Sequence, residues 1–279
     1  MSIWDRISGV DRRIIYILLF ITIMLPQFIP VVIPIKVDPL TVGLYNKIET
    51  MKPGDVALIS NEFSAVMYSE MTPVLHAITT HLFRKGARVI MMATSADGAL
   101  FNQEVCDKLL PKDYLYGRNI VNFGFVAGYE AAVASLVKDV PKTFPADMKG
   151  TQTAAMEVLK GVKTIDDIAL VIQLTGGGLG PLLWVRQVNI PFKTPFASVV
   201  SSSMLPSAIP YYQAGQMIAL LNGLKGGAEY ELLIKVPGKA TAGMAGQSLG
   251  HLFFVLAAIV ANVAYFAKRA STPKGGGKK

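Results

Sequence analysis

The chain has 279 residues, 52% of them apolar, and carries 27 basic against 19 acidic side chains for a formal charge of +8. The charge sits in the tails: residues 1–13 and 268–279 hold 8 of the 27 basic and 2 of the 19 acidic residues, leaving 19 against 17 between them. A middle so close to neutral excludes a nucleic-acid-binding domain, whose affinity rests on concentrated positive charge.

In chain order, a tail over 1–13 with Arg6, Arg12 and Arg13 leads into an apolar run over 14–35, Ile14 to Ile35, that contains no formally charged residue. At 1.5 Å per helical residue, about 20 such residues cross the hydrocarbon core of a bilayer. Pro26, Pro30 and Pro34 recur every fourth residue, so regular helix is expected to end or kink near Leu25, with an extended segment leading out of the membrane. No small-x-small cleavage site follows Leu25, and the run is read as an uncleaved anchor.

Residues 36–248 then alternate short apolar runs with amphipathic stretches. Strands are expected at Asp55–Ser60, Arg88–Thr94, Ile120–Phe125, Ile168–Leu174 and Phe196–Ser201. Helices are expected at Met71–Lys85, Phe101–Leu110, Tyr129–Val137, Thr153–Leu159 and Ile209–Asn222, with a short one from Pro181. Gly226 and Gly227 should break the last helix, leaving Ala228–Lys235 as an edge strand or a further turn of helix. Strand–helix alternation with near-continuous apolar strands predicts an α/β fold: a doubly wound, mostly parallel sheet of about five strands with helices on both faces.

A second uncharged apolar run, Leu249–Ala267 (249–267), precedes the basic tail 268–279. Gly246 and Gly250, then Ala257 and Ala261, form small-xxx-small pairs suited to close helix packing, and Asn262 is the deep polar residue. The α/β domain is therefore expected between an N-terminal and a C-terminal transmembrane helix. The basic outer flanks place both termini in the cytoplasm and the domain in an extracytoplasmic space, periplasmic or extracellular.

Ligands of doubly wound sheets gather beyond the carboxyl ends of the strands. The candidate ligand-binding residues expected there are Glu62, Asp97, Gly176, Gly177, Gly178, Ser201 and Ser202. The glycine run could cradle an anion on its backbone N–H groups, but it matches neither a dinucleotide fingerprint nor a phosphate loop. His76 and His81 lie five apart on one helix, a spacing that does not converge on a metal. Glu229 and Glu231, flanking Tyr230, are read as a solvated or subunit-facing edge. No catalytic motif, cofactor or metal site is assigned. The first functional expectation is a membrane-anchored, non-enzymatic scaffold, a homo-oligomer or a subunit of a larger membrane complex. A domain sensing a small molecule or anion and a membrane-bound hydrolase or transferase are the alternatives.

Overall fold

The computed structural model describes residues 9–29, 31, 34–178 and 180–271. Tail residues 1–8 and 272–279, and Pro30, which enter the sequence expectations above, lie outside them. The chain divides into an α/β unit, Pro34–Thr241, and a helical unit made of the residues up to 33 and from 242 onward.

The α/β unit holds one all-parallel sheet of six strands in the order β3-β2-β1-β4-β5-β6. These are β1 (Val56–Glu62), β2 (Arg88–Ala93), β3 (Ile120–Phe125), β4 (Leu170–Thr175), β5 (Phe196–Val200) and β6 (Ala219–Asn222). Central β1 pairs with β2 from Val56 opposite Arg88, and with β4 from Ala57 opposite Leu170. The strands are buried on both sides, so their sequences read as continuous apolar runs rather than as alternating ones.

Period-two geometry divides the strand side chains between two cores. Ala57, Ile59, Met91 and Ile172 face one core, closed by α2 (Pro39–Thr50), α3 (Tyr68–Arg84), α4 (Ala96–Lys108) and α8 (Gly223–Leu233). Leu58, Ile90, Val171 and Phe196 face the other. That core is closed by α5 (Glu130–Leu136), α6 (Val140–Thr143), α7 (Leu205–Gln213) and an unlabelled helical run through Leu182–Trp184, a π turn Val185–Asn189 and Ile190–Phe192.

The structure departs from the expected elements where local pattern is ambiguous. A sixth strand, β6, occupies the end of the stretch expected as helix Ile209–Asn222. Gly215, at φ +70°, stops α7, and the following apolar run pairs with β5. Gly226 and Gly227 lie inside α8 rather than breaking it, because that helix packs too closely for side chains. A Cβ on Gly226 would sit 2.9 Å from the Leu221 Cβ, and one on Gly227 2.7 Å from Val74 Cγ2. Residues 153–159 form two 3-10 turns separated by extended Met156, not one helix. Helix α2 was not anticipated; Asp38 caps it by accepting from Leu40 N–H at 3.0 Å, with Pro39 at its first position.

Glu229 and Glu231 are buried, not solvated or subunit-facing, because α8 is sandwiched in the first core. The Glu229 carboxylate accepts from Thr41 Oγ1 at 2.5 Å and pairs with Lys225. Between the two glutamates, the fully buried Tyr230 places its hydroxyl 2.8 Å from His81 Nδ1. The Glu231 carboxylate accepts from the backbone N–H groups of Gly238, Ala240 and Thr241 at 2.8–2.9 Å and from Thr241 Oγ1 at 2.6 Å. It thereby satisfies the donors at the start of the last helix, α9 (Lys239–Ser271), which helix geometry leaves without partners.

In the helical unit α1 spans Arg12–Phe28 and includes Pro26, so helix continues just past the expected stop at Leu25. Among the described residues one helix, Lys239–Ala270, is long and apolar enough to cross a membrane. Gly246 and Gly250 of α9 lie against Ile23 of α1: a Cβ on Gly246 would sit 2.7 Å from the Ile23 carbonyl oxygen. Farther along, Ala257 is half-buried and Ala261 exposed, whereas Ala264 is buried. At 100° per residue Ala264 falls back in line with Gly246, while Ala261 has rotated away. Asn262, on the opposite side, donates to the carbonyl of Ala258 in its own helix at 2.7 Å.

The single cysteine, Cys106, is buried on α4, and burial pushes its thiol up to about 12. Maleimide acts on the thiolate, which at that value is depleted about 1000-fold relative to an ordinary thiol. The folded protein is expected to stay unlabelled after an hour at neutral pH and to label fully in denaturant, as intact-mass measurement would show.

Candidate functional site

Strand order reverses between β1 and β4, and the carboxyl ends of these two strands open a crevice. A cavity of about 300 Å³ occupies it, lined by Glu62, Phe63, Met67, Thr94, Tyr129 and Gly176–Gly178 among others. Glu62 is the last residue of β1 rather than a residue of the loop beyond it.

Its carboxylate is gripped from four directions. Trp184 Nε1 donates to Oε1 at 2.7 Å and Ser60 Oγ donates to Oε1 at 2.9 Å. Gln173 Nε2 donates to Oε2 at 2.7 Å and the Tyr129 hydroxyl donates to it at 3.3 Å. Gln173 also donates to the Gly180 carbonyl at 3.0 Å and accepts from Ser198 Oγ at 3.1 Å. Ser60, Gln173 and Ser198 stand opposite one another across β1, β4 and β5, so one polar row crosses an otherwise apolar face and ends at Glu62. All four donors to the carboxylate are formally neutral. Among the described residues no Lys, Arg or His pairs with Glu62, and none lines the cavity.

Burial raises the Glu62 carboxyl above its ordinary value, against the opposing pull of Trp184, Gln173, Ser60 and Tyr129. The native state then keeps the proton to higher pH than the unfolded chain does. This stability is present in full below the ordinary carboxyl value of 4.5 and is lost as pH rises through the higher folded value. Glu62→Gln cannot titrate, so its melting temperature relative to the parent should climb as pH rises from acid to neutral. An offset independent of pH in parallel melts would contradict this.

The rest of the cavity is shaped by close contacts. Tyr129 holds φ +45° and ψ −98°, a conformation that non-glycine residues rarely adopt and that only well-determined surroundings maintain. A Cβ on Gly178 would sit 2.7 Å from the Tyr129 hydroxyl, and one on Gly176 would sit 1.6 Å from Met67 Sδ. The glycine turn is thus bare because an aromatic ring and a thioether occupy the space beside it. Gly177 differs: a Cβ there meets nothing within 4 Å, so it faces open volume. The buried Thr94 Oγ1 has no hydrogen-bond partner among the described residues.

Glu62 and Gly176–Gly178 therefore come together, but the other expected strand-end residues do not join them on the cavity wall. Asp97 accepts from Ala65 N–H at 2.8 Å. Ser202 donates from its backbone N–H and hydroxyl to Glu70 at 3.0 and 3.1 Å, and Ser201 lies 3.0 Å from Ser203, oxygen to oxygen. Gln173, Trp184, Tyr129, Met67 and Thr94 were not anticipated. A usable signal existed: Ser60 and Glu62 lie two apart in β1, and Gln173 and Ser198 are polar residues inside the apolar runs of β4 and β5. Among the described residues no group of His, Cys, Asp and Glu could hold a metal ion.

No protein-family model matches the chain, and no curated protein matches it.

Proposed function

We propose that this chain is a membrane-anchored, non-enzymatic small-molecule-binding protein whose ligand occupies the crevice between β1 and β4. The observation that carries the proposal is the Glu62 carboxylate, fixed by four donors at a cavity bounded by Gly176–Gly178. A buried carboxylate is costly, and concentrating its support at the point where strand order reverses fits a ligand site better than a packing role. An assembly scaffold, the other reading, would draw on the small-residue face of α9, but Gly246 and Gly250 lie against Ile23 of the same chain. Native mass measurement after mild solubilisation separates the two. A small adduct present on the parent protein and lost in Gly177→Leu supports ligand binding. A defined oligomer without adduct, indifferent to Gly177→Leu, favours the scaffold.

We infer further that α1 is a second membrane segment, that both termini are cytoplasmic and that the α/β unit is extracytoplasmic. In support, the 17 residues of α1 expose Ile14, Tyr16, Ile17, Leu18, Phe20 and Ile21, and such a row of apolar side chains calls for lipid. The basic residues of the two tails fall at or beyond the N-terminal end of α1, which begins with Arg12 and Arg13, and the C-terminal end of α9, whose last turn carries Lys268 and Arg269. Because Cys106 is buried, one added cysteine reports topology cleanly. Lys112→Cys should label with an impermeant maleimide on intact cells, and Ser2→Cys only after permeabilisation; the reverse pattern inverts the topology.

A further inference from the structure

Building on the crevice as a ligand site, we propose that its occupant is a small organic cation bearing a primary ammonium or guanidinium group, which supplies the counter-charge that Glu62 lacks. Buried charges in proteins are matched by opposite charge, a metal or a proton. Glu62 receives only neutral donors, and the cavity beside it is free of Lys, Arg and His among the described residues.

The charged groups on the surrounding elements do not fill the gap. Asp97, at the start of α4, and Glu70, in the first turn of α3, are themselves acidic and engaged by Ala65 and Ser202. Arg186, on the helical run that carries Trp184, is paired with Glu130. An anion cradled by the glycine turn would meet Glu62 with no cation to offset it, so phosphate-bearing ligands are disfavoured despite the glycine run. A cationic head that displaces the longest of the four donors, the Tyr129 hydroxyl at 3.3 Å, meets favourable charge at Glu62, and Thr94 Oγ1, buried without a partner in the same cavity wall, offers an acceptor for one of its N–H groups. Cation and proton then compete for the same carboxylate, so binding tightens as pH rises.

Trp184 is one of two tryptophans in the chain and donates directly to Glu62, which makes it the reporter. Full-length Trp4→Phe protein in detergent would be titrated with agmatine, ethanolamine, inorganic phosphate and adenosine monophosphate while Trp184 emission is followed. Agmatine or ethanolamine should give a saturable change, with affinity about 10-fold higher at neutral than at acid pH. Glu62→Gln should flatten that pH dependence. Gly177→Leu, which projects into open volume and spares the fold, should weaken binding about 10-fold or more. A phosphate or nucleotide response abolished by Gly177→Leu would keep the site and overturn the cation. A cation response that survives Gly177→Leu would be surface adsorption and would overturn the assignment. Silence from all four compounds would overturn the binding site itself.

Discussion

Glu231→Ala should lower the stability of the α/β unit by about 3 kcal/mol or more, the largest loss expected from any single side chain outside the apolar cores. Three backbone N–H groups and one hydroxyl donate to this carboxylate, which is almost wholly buried. Truncation removes four charge-assisted bonds and strands donors where water enters poorly. Glu231→Gln should recover only part of the loss, since one carboxamide atom would present N–H to N–H. Denaturant unfolding followed by Trp184 emission measures both, and a shift below 1 kcal/mol for the alanine variant would show that water replaces the carboxylate.

Gly43→Ala is expected to destabilise by about 3 kcal/mol, although it sits inside helix α2, where propensity alone favours alanine over glycine by about 1 kcal/mol. The two effects have opposite signs, and geometry decides between them. A Cβ on Gly43 would lie 2.0 Å from the backbone carbonyl oxygen of Ile218, just before β6. That atom belongs to the sheet: the Ile218 N–H donates to the Phe196 carbonyl at 2.8 Å, so it cannot retreat without breaking the edge pairing. Relief requires lifting α2 from β6, against which it packs closely. A melting temperature that rises in Gly43→Ala would mean that α2 is less tightly seated than its contacts indicate.

These two expectations come from positions that the amino-acid pattern alone read poorly, for a physical reason. Apolar runs of five or six residues flanked by turn residues identified β1 to β5, because a strand buried on both faces has no other use for such a sequence. The short run of β6 was absorbed into a helix, since its three apolar residues, Ala219 to Leu221, satisfy either period. Glu231 was read as solvated because its role depends on backbone donors that appear only once α8 and the start of α9 are packed together. At the crevice, Glu62 and Gly176–Gly178 were legible because fold class alone says where strand ends converge. Trp184 and Tyr129 were not, since their approach to Glu62 depends on the π turn and on a left-handed backbone far away in sequence. Asp97 and Ser202 were chosen by the same rule as Glu62, yet local turns had already claimed their hydrogen bonds.

The strand order also fixes a timetable for synthesis. The central strand gains β2 early, but its other neighbour is translated only with residues 170–175. A growing chain therefore carries a half-built sheet with one apolar edge unclosed across the whole stretch from β3 to β4, a span of distant pairing that slows folding and exposes sticky surface. Chaperones of the compartment that receives the α/β unit should find it a heavy client until β4 arrives, and slowing elongation ahead of Leu170 should raise aggregation more than the same delay placed after Val200.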